Sequence, residues 1–235
     1  MQFRFIKKIH TIVLTALLIC PGFAVQAQPA GLLYDPEPPA DSAYVRVILA
    51  SHDGPVDIQV DGRPRIRNLK SDEFSDYMVL SAGKRIISIH PAGKSVANLS
   101  SSIDVVRGKA ITVAFTALKT GKLPIVFEDK ANTNKLKVQL AVYHLVEKAG
   151  PLDVLTADGN TKVFSGVGFG AATSLQVNPI SIELIATNGG DKIAKARTSL
   201  SMTQGGTYSI LLSSAEGGNL IARTSQNKIE RYTGK

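Results

Sequence analysis

The sequence repeats itself at an interval of about 96 residues, and this constrains the fold more than any other feature. Residues Pro55–Ile58 (PVDI) resemble Pro151–Val154 (PLDV) at an offset of 96. Further along the chain, Gly108 aligns with Gly205 at an offset of 97, so a single insertion separates the two sets. The repeat indicates two tandem copies of one module, an arrangement that more often presents surfaces for binding than pockets for catalysis.

Each repeat consists of short segments with alternating apolar residues, separated by turn signals. In Ala43–Leu49 the alternation places Tyr44 and Arg46 on one face and the valines on the other. Asp61-Gly62 is typical of a tight hairpin turn. About seven such strands in roughly one hundred residues of each repeat predict an all-β protein built from two tandem antiparallel β-sandwiches, Ig-like or related.

The first 27 residues are typical of a cleaved secretion signal. Three basic residues precede an apolar stretch, Ile9–Ile19, and the expected cleavage site follows Ala27. Ile19 is larger than the residue that usually precedes a lipidated cysteine, so Cys20 is expected to leave with the signal. Removing the three basic residues lowers the formal charge from +8 to near +5. We therefore expect a basic periplasmic protein without disulfides and without nucleic-acid partners.

The remaining chain divides into three predicted parts. Residues 28–42 form an extended proline-rich segment, residues 43–128 the first sandwich module and residues 135–232 the second, with the polar stretch Glu128–Lys135 as the linker. This segment can serve as a mobile tether, wrap onto a module or offer an extended peptide to a partner. Because its prolines already restrict it, ordering it costs little entropy. The candidate partner-contact residues are Leu32, Leu33, Tyr34 and Tyr44.

No set of residues has the spacing of a catalytic or metal centre. The sequence lacks a Gly-x-Ser-x-Gly nucleophile motif. The histidines after the leader, His52, His90 and His144, are scattered and lack the spacing of zinc ligands. The sequence therefore predicts a protein that is not an enzyme and that holds no metal or cofactor.

Basic residues form the most plausible binding site. In Arg63-Pro-Arg65-Ile-Arg67 the alternation of an extended strand would place three guanidinium groups on one face, where they can bind carboxylates. Tryptophan is absent, which argues against sugar recognition by stacking. The competing interpretation is a charged strand edge that resists aggregation. The candidate binding residues, with anionic polysaccharide as the ligand, are Arg63, Arg65, Arg67, Lys70, Lys84 and Arg85.

The beginning of the predicted mature chain resembles that of a known family. A Leu-Tyr-x-Pro segment at Leu33–Pro36 is followed by a Tyr-Val-Arg-Val strand at Tyr44–Val47, as in the AlgF family of exported accessory proteins of alginate O-acetylation. The turn Ala157–Gly159 and Asn178-Pro179 extend the similarity. The resemblance implies a non-catalytic periplasmic protein whose partners are exopolysaccharide acetyltransferases and a membrane-bound acyl-transfer protein. Similar proteins occur in acetylated-cellulose systems, so the polymer stays open.

Three functions follow as hypotheses. The first is an adaptor that raises the effective concentration of a membrane acetyl donor near a soluble acetyltransferase. The second is a polysaccharide-binding module that uses its basic face. The third is a transient acetyl carrier, acylated on a serine or threonine.

Overall fold

The computed structural model describes residues 39–50, 54–116, 118 and 122–232. The predicted signal peptide, the candidates Leu32, Leu33 and Tyr34, and His52 lie outside these residues. The described residues form strands and turns without a helix, and thus include no helix long and apolar enough to cross a bilayer. The structure confirms an all-β fold of two sandwich modules.

In the described part of the first module, two sheets pack face to face. The inner sheet has the order β4-β1-β8-β9, with β5 also pairing with β1, and the outer sheet has the order β3-β2-β6-β7. Their strands are β1 (Ser42–Leu49), β2 (Val56–Val60), β3 (Arg63–Leu69), β4 (Glu73–Phe74), β5 (Met78–Ser81), β6 (Gly83–Pro91), β7 (Leu99–Val105), β8 (Ala110–Phe115) and β9 (Ile125–Asp129).

The second module repeats this arrangement. Its inner sheet has the order β13-β10-β16-β17 and its outer sheet the order β12-β11-β14-β15. The strands are β10 (Val138–His144), β11 (Leu152–Thr156), β12 (Lys162–Val167), β13 (Ala172–Val177), β14 (Ser181–Asn188), β15 (Ala196–Ser201), β16 (Thr207–Ser214) and β17 (Leu220–Gln226).

One strand pair in each inner sheet is parallel, whereas the sequence predicts antiparallel sandwiches. β1 runs parallel to β8, and β10 runs parallel to β16. Alternation of apolar residues reveals the two faces of a strand but not the direction of its neighbours. The parallel pairs are therefore a feature that the sequence pattern could not indicate.

The four sheets form successive layers, because the two inner sheets also pack against each other. Val45 and Val47 of β1 enter the core of the first module, and Val138 and Leu140 of β10 enter that of the second. Residues on the opposite faces of these inner strands form a third apolar cluster between the modules: Ile48, Ala114, Phe127, Ala141, Tyr143, Leu145 and Leu211. Burial on both faces explains why every residue of β10 is buried.

The linker between the modules is shorter than predicted. Glu128 and Asp129, which the sequence predicts to lie in the polar linker, are the last residues of β9. Their charges hide the strand in the sequence, because acidic residues are unusual in strands. Asp129 has a structural role that explains its position, as described below.

A carboxylate of β2 holds together three segments of the first module. Asp57 accepts hydrogen bonds from the backbone N–H groups of Asn68, at 2.8 Å, and Gly93, at 2.9 Å. Both donors have positive φ angles, 55° and 74°. The hydrogen bonds from Gly93 and Asn68 lower the pKa of Asp57, so the side chain stays ionised. Asp57 therefore stabilises the local fold.

The equivalent carboxylate in the second module is Asp153 of β11, 96 residues later. It accepts hydrogen bonds from the backbone N–H groups of Gly166, at 2.6 Å, and Gly190, at 3.0 Å, and it pairs with Lys162 at 2.6 Å. Burial alone would raise the pKa of Asp153, but these partners outweigh burial and lower the pKa to about 2. The two repeats thus share a carboxylate that accepts hydrogen bonds from two backbone N–H groups, as well as a strand pattern.

Candidate functional site

A fully buried arginine joins the two modules. Arg46 of β1 is 0% exposed and lies between the inner sheets. Its Nε donates to Thr112 Oγ1 at 2.8 Å, and its Nη1 donates to Asn227 Oδ1 at 2.8 Å. Its Nη2 donates to the hydroxyls of Tyr143 and Ser209, both at 2.9 Å. Three of these four acceptors belong to the second module or the segment that follows β17, so one side chain links both halves.

Asp129 supplies the negative charge that compensates for Arg46. Its carboxylate accepts hydrogen bonds from Thr112 Oγ1, at 2.6 Å, and from the hydroxyl of Tyr143. The Tyr77 hydroxyl donates to the same carboxylate at 2.8 Å. Thr112 and Tyr143 therefore accept from the guanidinium and donate to the carboxylate. A buried charge arranged in this way is both hydrogen-bonded and balanced.

Aromatic rings surround the guanidinium group. The Arg46 Cζ atom lies 4.4 Å from the ring centroid of Phe74, 4.6 Å from that of Tyr77 and 5.3 Å from that of Tyr143. Burial raises the pKa of Tyr143 to about 12, although Arg46 acts in the opposite direction, and burial also raises the pKa of Tyr77. Both phenols stay protonated at neutral pH and continue to donate to Asp129. This Arg46 network is a structural lock between the modules.

The described histidines have structural positions. His144 is fully buried, and its Nδ1 accepts a hydrogen bond from the Val146 N–H at 3.1 Å while its Nε2 lies 3.1 Å from the Gly150 carbonyl oxygen. Burial lowers the pKa of His144. His90 is buried in the other module. Within the described ranges, no three histidine, cysteine, aspartate or glutamate side chains are grouped to hold a metal ion.

A cavity of about 370 Å³ on the first module collects half of the predicted binding residues. Arg63, Arg65 and Arg85 line this basic cavity, together with Asp61. The other three candidates, Arg67, Lys70 and Lys84, do not line it. Lys84 is largely exposed and pairs with Asp104 at 3.1 Å.

The strand that carries the arginines does not alternate as the sequence suggests. Two bulges interrupt the pairing of β2 with β3, one on each side of the Ile58–Ile66 pair. A bulge shifts the side chains that follow it to the other face. Arg63 and Arg65 therefore share the cavity, whereas Arg67 lies away from it, and the three guanidinium groups do not form one row.

Two of the three arginines that line the basic cavity already form ion pairs with carboxylates of the protein. Arg65 forms an ion pair with Glu230, which follows β17, and Glu230 also accepts a hydrogen bond from the Val79 N–H at 2.8 Å. Arg85 pairs with Asp61 at 3.1 Å. The Arg63 side chain is exposed and has no hydrogen-bond or ion-pair partner among the described residues. Arg63 is therefore the cation most available to an anionic ligand.

A larger cavity of about 700 Å³ lies between the inner sheets of the two modules. Tyr44, a predicted partner-contact residue, lines this intermodule cleft, together with Gln139 and Gln176 of the second module. Sequence reasoning did not select the glutamines, because only the contact between the modules brings them opposite Tyr44.

Known proteins resemble this chain over most of its length. A family model described as a domain of unknown function (DUF4397) matches residues 43–155, from β1 into β11. The alginate biosynthesis protein AlgF of Azotobacter vinelandii is 29% identical over 173 residues, which cover 74% of this chain and 73% of that protein. AlgF of Pseudomonas putida is 25% identical over 192 residues, covering 80% and 83% of the two chains.

Four AlgF proteins that are 25–29% identical over most of this chain support its membership of the AlgF family. The family prediction made from the Leu-Tyr-x-Pro and Tyr-Val-Arg-Val segments is therefore confirmed. Among solved structures, the C-terminal domain of AlgF from Pseudomonas aeruginosa matches with a TM-score of 0.34 and 24% identity, covering 40% of this chain and 100% of that domain. In this AlgF-family protein, the arginine of the Tyr-Val-Arg-Val strand is Arg46, the residue that locks the two modules together.

Proposed function

We propose that this AlgF-family protein is an exported, non-catalytic adaptor in the O-acetylation of an exopolysaccharide, alginate or cellulose. It holds a membrane-bound acetyl-donor component beside a soluble acetyltransferase. The names of its relatives, alginate biosynthesis proteins, support the pathway. The observation that carries the adaptor role is the rigid connection of two modules through the buried Arg46 network.

A rigid connection matters because it determines the geometry of two docking surfaces. When one partner binds each module, the second binding event becomes intramolecular and is governed by an effective concentration. With a flexible connection, the two bound partners would sample many relative orientations, and the effective concentration in any one of them would be lower. The lock keeps the outer faces of the two modules in one relative orientation, so the partners meet in one geometry.

The adaptor role predicts a ternary complex. The predicted mature chain, residues 28–235, is immobilised and incubated with exopolysaccharide acetyltransferases and a membrane acyl-transfer protein of the same organism, first separately and then together. We expect the protein to retain each partner alone and both at once, as measured by quantitative mass spectrometry of the eluted fraction. Retention of neither protein, or mutual displacement of the two, would contradict an adaptor.

A second candidate function is polysaccharide binding in the basic cavity. It is favoured by the convergence of Arg63, Arg65 and Arg85 in one cavity and by the exposed guanidinium of Arg63, which has no ion-pair partner among the described residues. Alginate carries one carboxylate per sugar, so its binding should weaken as salt increases, whereas a neutral glucan should not bind there.

The cavity can be tested with a charge reversal and a matched control. Because a hydrogen bond to a charged group is worth about 1.5–3 kcal/mol, Arg63→Glu should weaken alginate binding by about tenfold or more. Lys94→Glu makes the same charge change on an exposed side chain of the same module, away from the cavity. It should change affinity by less than about twofold. Calorimetric titration measures both, and equal effects of the two variants would indicate a nonspecific charge effect and remove the cavity as the site.

A further inference from the structure

The intermodule cleft is built from equivalent positions of the two repeats. Tyr44 pairs with Ala110 across the parallel strands of the first inner sheet, and Gln139 pairs with Thr207 in the second. Ala110 and Thr207 are 97 residues apart, the interval of the repeat. Tyr44 and Gln139 therefore occupy the same place in each module and line the cleft from opposite sides.

Gln139 of β10 is a polar residue in the wall of the cleft. The residue is 4% exposed and lines the cleft, and its side-chain amide forms no hydrogen bond with any described residue. Its backbone N–H donates to the Gly206 carbonyl oxygen at 3.0 Å. A primary amide can make up to four hydrogen bonds, so the amide of Gln139 can bind groups that enter the cleft. Such an amide is suited to a polar ligand that enters the cleft.

The neighbours of Gln139 offer the same kind of chemistry. Gln176 of β13 is its direct cross-strand partner, so both amides lie on the face of the sheet that borders the cleft. Ser174 and Thr133 add hydroxyl groups to the lining. Opposite them is the half-buried ring of Tyr44. The cleft thus combines hydrogen-bond donors, hydrogen-bond acceptors and one aromatic ring.

The charges around the cleft nearly cancel. Lys109 pairs with Glu128 at 2.6 Å, and Asp129 is engaged by Thr112 and the tyrosines of the Arg46 network. Lys130 lines the cleft without a hydrogen-bond or ion-pair partner among the described residues. The cleft therefore does not strongly favour charged ligands over neutral ones, whereas the basic cavity favours anions.

From these features we infer that the intermodule cleft binds pyranose units of a polysaccharide chain. A pyranose presents hydroxyl groups that donate and accept, which match the two amides, and an apolar C–H face, which matches the Tyr44 ring. The volume of about 700 Å³ falls within the range of about 300–1,000 Å³ that is usual for ligand sites. The adjacent Arg46 network holds both walls rigidly, so the site is formed before the sugar arrives. This inference does not depend on the adaptor function.

Titration of the mature chain with cellulose and alginate hexasaccharides, followed by calorimetry, tests the site. We expect binding of at least one hexasaccharide and about a tenfold loss of affinity in Gln139→Met, which keeps the length of the side chain but removes the amide. Tyr44→Ala should also lower the affinity, because it removes the aromatic ring. Tyr44 is only half-buried, so the fold should tolerate the smaller side chain. Lys130→Ala distinguishes the two polymers, because it should weaken alginate binding only.

The matched control is Gln59→Met, which makes the same substitution on the outer sheet of the first module, away from the cleft. It should leave affinity unchanged within about twofold. Thermal unfolding of each variant checks that the fold is intact. The inference is overturned if neither hexasaccharide binds at millimolar concentration, or if binding persists in both Gln139→Met and Tyr44→Ala. It is also overturned if binding is abolished by Arg63→Glu alone, since that result assigns the sugar to the basic cavity. Retention of the acetyltransferases by Gln139→Met measures the adaptor function separately.

Discussion

Replacement of Arg46 by alanine is expected to lower the free energy of unfolding by about 3–5 kcal/mol, the usual cost of removing one member of a buried ion network. The substitution leaves the half-buried Asp129 carboxylate without its compensating charge. It also removes the donor from four acceptors, including Asn227 and Ser209. Because each module has its own apolar core, loss of the lock should also separate the unfolding of the two modules.

Urea denaturation followed by tyrosine fluorescence and by circular dichroism measures both effects. Arg46→Lys keeps the charge but not the planar fork, so its loss of stability should be smaller than that of alanine but still measurable. Arg223→Ala, at an exposed position of β17, is the matched control and should stay within about 0.5 kcal/mol of the unmodified protein. A fully cooperative, unshifted transition for Arg46→Ala would show that the network does not join the modules.

Asp153→Asn is expected to lower the free energy of unfolding by about 2 kcal/mol at neutral pH, since a pKa shift of one unit corresponds to about 1.4 kcal/mol. The Asp153 side chain is 2% exposed and accepts from Gly166, Gly190 and Lys162. Its pKa is lowered in the folded state to about 2 from an ordinary value of 3.8. The stabilisation is therefore fully present above about pH 4 and is lost as the pH falls towards 2.

The measurement is the difference in unfolding free energy between the unmodified protein and Asp153→Asn between neutral pH and pH 2. Other carboxylates with lowered pKa values, such as Asp57, are present in both proteins and cancel in this difference. Asp104→Asn provides the control, because the Asp104 side chain is 77% exposed, and its effect should stay within about 0.5 kcal/mol. A difference for Asp153→Asn that grows on acidification would contradict the assigned role.

Part of the binding site was accessible from sequence and part was not. The positive charges of Arg63, Arg65 and Arg85 are visible in the sequence, and the structure brings these residues into one cavity. Regular alternation predicts that Arg67 shares their face, but the bulges in the pairing of β2 with β3 interrupt the alternation. Bulges depend on how two strands pair, which a single strand does not reveal.

For the Arg46 network too, the sequence indicates one part of the arrangement and only the structure shows the rest. Alternation correctly placed Arg46 on the face opposite the valines of β1, but it did not indicate what covers that face. The structure buries it completely, because the inner sheet of the second module covers that face. Its acceptors Tyr143 and Ser209 lie 97 and 163 residues away, distances at which no local pattern indicates a contact.

The amino-acid sequence by itself determined the duplication, the all-β class, the faces of the first strand and the family. These properties follow from local spacing: side chains alternate along a strand, and a repeated module repeats its turns. The tertiary structure alone decided which exposed-looking faces meet, and so made Arg46 a lock and placed Tyr44 opposite Gln139. The reason is physical, because packing of one sheet on another depends on surfaces assembled from several strands, whereas a sequence displays one strand at a time.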